Sequence, residues 1–375
     1  MSNAEEPPRK YRTNPPPPPP SLSSLPDEIV VKCLALVPRS YHLSLSWVSK
    51  HLRALLRSPE LNLHKTSLHV CLEEGEDDDE SFHWFTLSET SKTREYGLVS
   101  NPTLFPPHKY GSATVALGSK IFFIGGSTEP STDLWILDTR SGTMTQGPSM
   151  SVPREQFDAA VGVIDGKIYV IGGEGFHGVE EEESQVEVFD LKTETWEVAG
   201  SEKMRNILRC SASVEGKLYM VDYEETNLYN PRECERERLV HMVSEKLSEG
   251  GRKDMLNDTA YIVCVVEDIL FAFFRLNGIL WFDTKLSVWR RLVGRDGKQL
   301  PSFFLHDTAM AENNGRLVVL WDEIEVDNTI SKNVESMLVS LDRSGDKICG
   351  TIDWSGIVAT VPYSFRFLHC LSVSD

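Results

Sequence analysis

The residue types that usually do chemistry are present in this chain, but at spacings that withhold most of it. His108, His177, His241 and His306 fall at unmatched places along the chain, so they set up neither a metal cluster nor a histidine relay. The seven cysteines (Cys33, Cys71, Cys210, Cys234, Cys264, Cys349 and Cys370) are odd in number, scattered and without paired spacing. That argues against both a disulfide framework and a zinc site. No Gly-x-Ser-x-Gly elbow and no phosphate-cradling loop occurs. The acidic runs at 73–80 and 180–183 lack the alternating ligands, the glycine and the distal glutamate of a calcium loop. They read as solvated loops, or as a field that steers a basic substrate. Catalytic residues, metal and cofactor are all expected to be absent. What is left is recognition by charge. With Val163 aligned on Val214, Arg154 and Arg205 fall at equivalent positions just ahead of a strand. With Gln156 and Arg209 they make a rim that accepts an acidic or phosphorylated segment through guanidinium hydrogen bonds. The alternative is that each arginine ties neighbouring units together.

The elements that position these residues repeat. Gly118-Ser119-Lys120-Ile121-Phe122-Phe123-Ile124-Gly125-Gly126 returns as Gly166-Lys167-Ile168-Tyr169-Val170-Ile171-Gly172-Gly173 and again as Gly216-Lys217-Leu218-Tyr219-Met220-Val221. The interval of about 48 to 50 residues marks one supersecondary unit that must stack on its neighbours to bury its apolar face. Apolar residues at every position from 168 to 171 predict a strand covered on both faces. The glycine pair predicts a sharp turn where backbones crowd. Downstream, Asp190 is followed six residues later by Trp196, and Asp283 by Trp289, a polar hairpin delivering a large aromatic to the next strand. Met144 stands in the same slot after Asp138. The phrase weakens along the chain. Asp222-Tyr223 replaces the glycine pair in the third unit and Arg236 its tryptophan. The fourth unit (Asp268 to Phe273) and the fifth (Gly315 to Trp321) also lack the pair.

Ahead of the array, residues 1–21 carry Pro15 to Pro20 in one run and read as a disordered or polyproline-II tail, a spacer or a ligand for an aromatic groove. Leu25-Pro26-Asp27-Glu28 then opens a helix, with Ile29, Val30, Cys33, Leu34 and Val37 at helical spacing and Pro38 as its stop. A second amphipathic stretch carries Leu43, Leu45, Val48, Leu52, Leu55 and Leu56. The segment 22–63 is too short to sustain a core of its own, so its apolar faces need a partner.

Composition narrows the classes. The 375 residues carry a net charge of −18, which disfavours nucleic acid, since phosphate binding rests on Lys and Arg. Charged residues at 25% and hydrophobic ones at 40% are ordinary for a soluble globular chain. No apolar run is long enough for a membrane span and the proline-rich start is no signal peptide. An intracellular place, cytoplasm or nucleus, is expected.

Gly-Gly followed by Asp-x5-Trp at this period resembles kelch, whose repeats form four-stranded blades of a β-propeller. Leu25-Pro26-x-Glu28, Val48-Ser49-Lys50-x-Leu52 and Ser58-Pro59-Glu60-Leu61 resemble an F-box over 22–63, with Leu52 where F-box sequences usually have Trp. The whole layout is similar to the plant F-box/kelch-repeat family. The resemblance implies a mainly β fold: a propeller over 64–375 behind a small helical F-box. The strand-like segments Leu68 to Leu72 and His83 to Leu87 read as the last two strands of a blade. Joined to residues 347–373 they predict a composite sixth blade that removes free sheet edges. By resemblance, Leu25, Pro26, Ile29, Val30, Leu34, Val48 and Leu52 would dock a Skp-type adaptor of a cullin–RING ubiquitin ligase. The propeller would hold a protein substrate on one face, at the rim of Arg154, Gln156, Arg205 and Arg209. The chain itself would be a non-catalytic adaptor. A copper or iron kelch enzyme or specifier protein, or a free-standing kelch scaffold, are the alternatives.

Overall fold

The structure is a computed structural model and describes residues 25–35, 45, 48–56, 58, 66–74, 81–90, 95–101, 111–126, 130–154, 159–173, 181–205, 210–221, 226–233, 239–242, 258–301, 307–323, 330–344 and 347–374. The expected proline-rich tail lies outside these. The chain divides into two compact units, Met1–Leu63 and His64–Asp375.

In the first unit, helix α1 (Asp27–Ala35) follows Pro26 with Asp27 and Glu28 in its first turn and Lys32 in its last, each charge on the favourable end of the helix dipole. Helix α2 (Lys50–Leu56) is capped by Ser49, whose Oγ accepts the Leu52 amide at 3.0 Å. Val30 and Leu34 of α1 are buried and pack with Val31, Leu45, Leu52 and Leu55. That handful of side chains is the whole described core of the unit.

The described regular elements of the second unit are all strands. The first internal blade is β4 (Ala113–Leu117), β5 (Lys120–Ile124), β6 (Leu134–Asp138) and β7 (Thr143–Gln146). The second is β8 (Ala160–Ile164), β9 (Lys167–Ile171), β10 (Glu181–Asp190) and β11 (Thr195–Arg205). The third is β12 (Cys210–Val214), β13 (Lys217–Val221), β14 (Thr226–Tyr229) and β15 (Leu239–Met242). The fourth is β16 (Ala260–Val266), β17 (Ile269–Phe274), β18 (Gly278–Asp283) and β19 (Val288–Arg291). The fifth is β21 (Thr308–Asn313), β22 (Arg316–Glu323), β23 (Ser331–Ser344) and β24 (Lys347–Pro362), with the short β20 (Val293–Gly294) added in parallel on β24. The sixth sheet is composite: β25 (Arg366–Ser374) pairs with β1 (Thr66–Glu74), followed by β2 (Ser81–Thr90) and β3 (Glu95–Ser100). Strands β25, β4, β8, β12, β16 and β21 neighbour one another in turn and close a ring. The predicted six-bladed, mainly β propeller is therefore what forms, with its sixth blade built from both ends.

Two details correct the sequence reading of that blade. It takes three early strands, not two, because β3 completes it. It takes one late strand, not all of 347–373, because the fifth unit needs β24 as its own outer strand and leaves only β25 to cross over.

The period of two explains why the strands are apolar throughout. Along β22, Leu317, Val319 and Trp321 enter one core with Phe271 and Phe273 of the fourth blade. Val318 and Leu320 enter another with Leu68 and Val70 of the composite blade. A strand between two blades has no wet face. Antiparallel meanders put the first-to-second and third-to-fourth strand connections at one end, the turn face. The second-to-third and blade-to-blade connections lie at the other, the loop face. On the turn face Asp165-Gly166 and Glu215-Gly216 have φ positive at both residues, the geometry of tight hairpin turns.

Both halves of the repeat have a mechanical role. Asp190 Oδ1 accepts the Lys192 amide at 2.9 Å and Asp283 Oδ1 accepts that of Lys285 at 3.1 Å, which closes the hairpin. Trp196 then donates from Nε1 to the Pro148 carbonyl of the preceding blade at 2.8 Å. Trp289 donates to Thr226 Oγ1 of its own preceding blade at 2.9 Å. The glycine pair serves close approach. A Cβ on Gly126, at φ +80, would come within 2.5 Å of the Ser112 backbone nitrogen, and one on Gly125 within 2.9 Å of Arg154 Cβ.

Candidate functional site: two docking surfaces

In the helical unit the side chains sort by direction. Leu25 is 40% exposed, Ile29 43% and Val48 70%, and Pro26 is exposed beside them. Val30 and Leu34 are buried and Leu52 packs on them. The expected set of seven therefore splits. Leu25, Pro26, Ile29 and Val48 present apolar side chains to solvent, whereas Val30 and Leu34 are buried behind them and Leu52 is half-buried against that pair. His51 Nε2 lies 3.1 Å from Asp27 Oδ1 and links the two helices at the surface.

On the propeller the rim expectation fails at Arg154. This side chain has no exposure. Its Nη1 donates to the Gly172 carbonyl at 2.7 Å and its Nη2 to Glu187 Oε2 at 2.8 Å. Its backbone exchanges hydrogen bonds with Ser131 of the preceding blade at 2.9 and 3.0 Å. Glu187 is itself 1% exposed and also accepts the Ser151 amide at 2.7 Å and the Ser151 hydroxyl at 2.8 Å. Arg154 thus ties the first internal blade to the second, the alternative role for it. The backbone of Arg205 ends β11. Gln156 and Arg209 lie outside the described residues, as do His108, His177 and His306.

A second polar tie closes the ring. Lys332 and Asp322, 7% and 6% exposed at the side chain, pair at 2.7 Å. Asp322 Oδ1 accepts the Asp307 amide at 2.8 Å, and Asp307 Oδ2 accepts the Phe367 amide of β25 at 2.7 Å. Burial pushes the Asp307 carboxyl above the usual range and the Asp322 charge adds to it, while the Phe367 amide and Lys332 pull it back. In sequence Asp322 stands where Gly173 stands three blades earlier; a charge at a position that wants glycine was the available signal.

Three of the innermost strands carry thiols. Burial pushes Cys210 and Cys370 up to about 12 and Cys264 higher still, so they stay protonated and poorly nucleophilic. On the turn face burial lifts Asp268 to about 6, with the Glu215 charge adding to the effect. Among the described residues no group of three or more His, Cys, Asp or Glu side chains is placed to hold a metal ion, and no helix is long and apolar enough to cross a membrane.

This architecture matches known families over nearly the whole chain. The FKB95, Kelch-repeats domain model matches residues 84–359 and the F-box domain model residues 22–64. The chain belongs to the F-box/kelch-repeat family. A putative F-box/kelch-repeat protein of Arabidopsis thaliana is 42% identical over 95% of this chain and 98% of its own length. A second F-box/kelch-repeat protein of that plant is 36% identical over the full length of both, and a third 31% identical over 98% of this chain and 97% of its own length. Among solved structures, that of YjhT aligns with a TM-score of 0.47 and 11% identity over 75% of this chain and 96% of its own.

Proposed function

We propose that this chain is the substrate-recognition subunit of a Skp–cullin–F-box ubiquitin ligase, acting in the cytosol or nucleus. The F-box docks the Skp-type adaptor and the propeller holds a protein substrate. The observation that carries this reading is the division of the helical unit. Its few inward side chains are Val30, Leu34 and their neighbours, and Leu25, Ile29 and Val48 are left in water. A unit this small gains little from its own core, and covering that patch with a partner would bury apolar area worth roughly 25 cal/mol per Å². The ubiquitin chemistry then belongs to the RING subunit and its conjugating enzyme. This chain contributes proximity, raising the effective concentration of substrate lysines near the charged conjugate, and needs no catalytic group of its own.

The test is co-expression with a Skp-type adaptor. Wild type is expected to form a stable 1:1 complex, and Ile29→Glu with Val48→Glu to lose it with an unchanged thermal unfolding curve of the propeller. No complex from the wild-type chain, with the F-box folded, overturns the reading in favour of a free-standing kelch scaffold.

A further inference from the structure

The loop face of the fourth and fifth internal blades holds apolar side chains in water on fixed turns. Asp258 is 2% exposed and accepts the Leu276 amide at 2.9 Å, the Asn277 amide at 3.0 Å and the Asn277 side-chain amide at 2.7 Å. Arg291 donates to Asn277 Oδ1 at 3.0 Å, and the Arg275 amide to the Thr259 carbonyl at 3.0 Å. A connection tied this often has little freedom, yet it presents Leu276 at 63% exposure with Arg275 exposed beside it. On the adjoining innermost strand the ladder passes from Ala260 opposite Phe274 to Ile262 opposite Phe273. Tyr261 is left as a bulge, 54% exposed. Bulges re-aim side chains and cluster beside functional sites.

The next blade continues the pattern. Ile330 is 83% exposed and Tyr363 45%, and the Tyr363 amide donates to the Ile330 carbonyl at 3.0 Å. A single exposed leucine needs no explanation. Several large apolar groups held by rigid turns on one face mark an interaction surface, because pre-ordered anchors lower the entropic cost of binding. Arg275, Glu323 and Arg366 stand exposed on the same face, and the one next to Leu276 in the chain is Arg275, so the charge beside the apolar anchor is complementary to an acidic group.

We propose that this face seats a short extended segment of a partner protein that carries a large apolar side chain next to an acidic one. The apolar side chain rests on Tyr261 and Leu276, and the carboxylate meets Arg275. The proposal deepens the reading of the propeller as the substrate-holding half and rests on it.

The test uses the full chain and fluorescent synthetic decapeptides in three matched sets. One has Leu or Phe beside Asp or Glu, one has Lys replacing the acid, and one has Ala replacing the apolar residue. The first set is expected to bind at least tenfold tighter than the others. Tyr261→Ala and Leu276→Ala should each weaken it about tenfold, and Arg275→Glu should shift the preference to the Lys set. Leu286→Ala, a 60% exposed leucine on the turn face, should change nothing. All these side chains are exposed, and melting curves confirm that the variants fold. Absence of binding, equal binding by the three sets, or binding indifferent to both alanine variants overturns the proposal. Adaptor binding is read separately: its loss with peptide selectivity intact overturns the ligase reading and spares this one.

Discussion

The junction between the first and second internal blades and the junction that closes the ring solve one problem by opposite means. At both, the end of a second strand meets the start of an innermost strand and must be tied to the next blade. In the early junction the strand ends in glycine. A Cβ on Gly125 would come within 2.9 Å of Arg154 Cβ, and Arg154, held by a buried pair with Glu187 of its own blade at 2.8 Å, exchanges backbone hydrogen bonds with Ser131 of the preceding blade. In the closing junction Asp322 replaces the glycine, and Asp322, Lys332 and Asp307 carry hydrogen bonds across to β25. Close backbone approach can be replaced by a satisfied polar network, provided every buried charge finds its partner. This is why the glycine phrase can fade along the chain while the blade persists.

The comparison breaks most readily at the early junction. Glu187→Ala strands the Arg154 charge in a fully buried site, and a loss of about 3–5 kcal/mol is expected in denaturant unfolding. A loss below about 1 kcal/mol would mean that the pair ties nothing. At the closing junction Lys332→Met removes the cation between two carboxylates, and a loss of about 3 kcal/mol is expected near neutral pH. This variant also carries a pH signature. The folded Asp307 carboxyl titrates above its unfolded value of about 3.9. The stability tied to its protonated form is thus present below that value and lost as pH rises through the raised one. Without Lys332 the folded value rises further, so the variant should lose stability more steeply with pH than wild type and recover part of its deficit in acid. Parallel pH profiles would refute the network. The smallest effect sharpens the repeat itself. Trp196→Phe keeps the aromatic packing on Phe189, with ring centroids 5.1 Å apart, and loses the bond to Pro148; it should cost about 1 kcal/mol.

Much of the ring was legible because its signals are local and periodic. Gly125-Gly126 declares a turn and Asp190 to Trp196 a hairpin with its anchor, each within a few residues, and the unbroken apolar run at 168–171 declares a strand between two blades. Arg154 was legible as a position but not as a role. Its fate is decided by Glu187, whose place beside it appears only after β8, β9 and β10 have paired. The Asp322–Lys332 tie joins residues ten apart across a connection that follows no repeat. Tyr261 was hidden because a bulge breaks the period of two that would have assigned its face. In the helical unit, spacing identified the apolar residues, and only the packing of α1 on α2 separated Ile29 from Val30.

The composite blade has a consequence for how the protein is made. Thr66 opens β1 and its partner is Ser374, so the strand that completes the first sheet leaves the ribosome after every other described strand. At roughly 5–20 residues per second, the nascent chain carries Leu68, Val70 and Leu72 without their final neighbour for roughly 15–60 seconds. A sheet edge waiting that long is open to mispairing with other chains. Premature termination anywhere before 366 would leave it open permanently. Ring closure therefore works as a proofreading step for synthesis: only a chain translated through β25 hides its first strand.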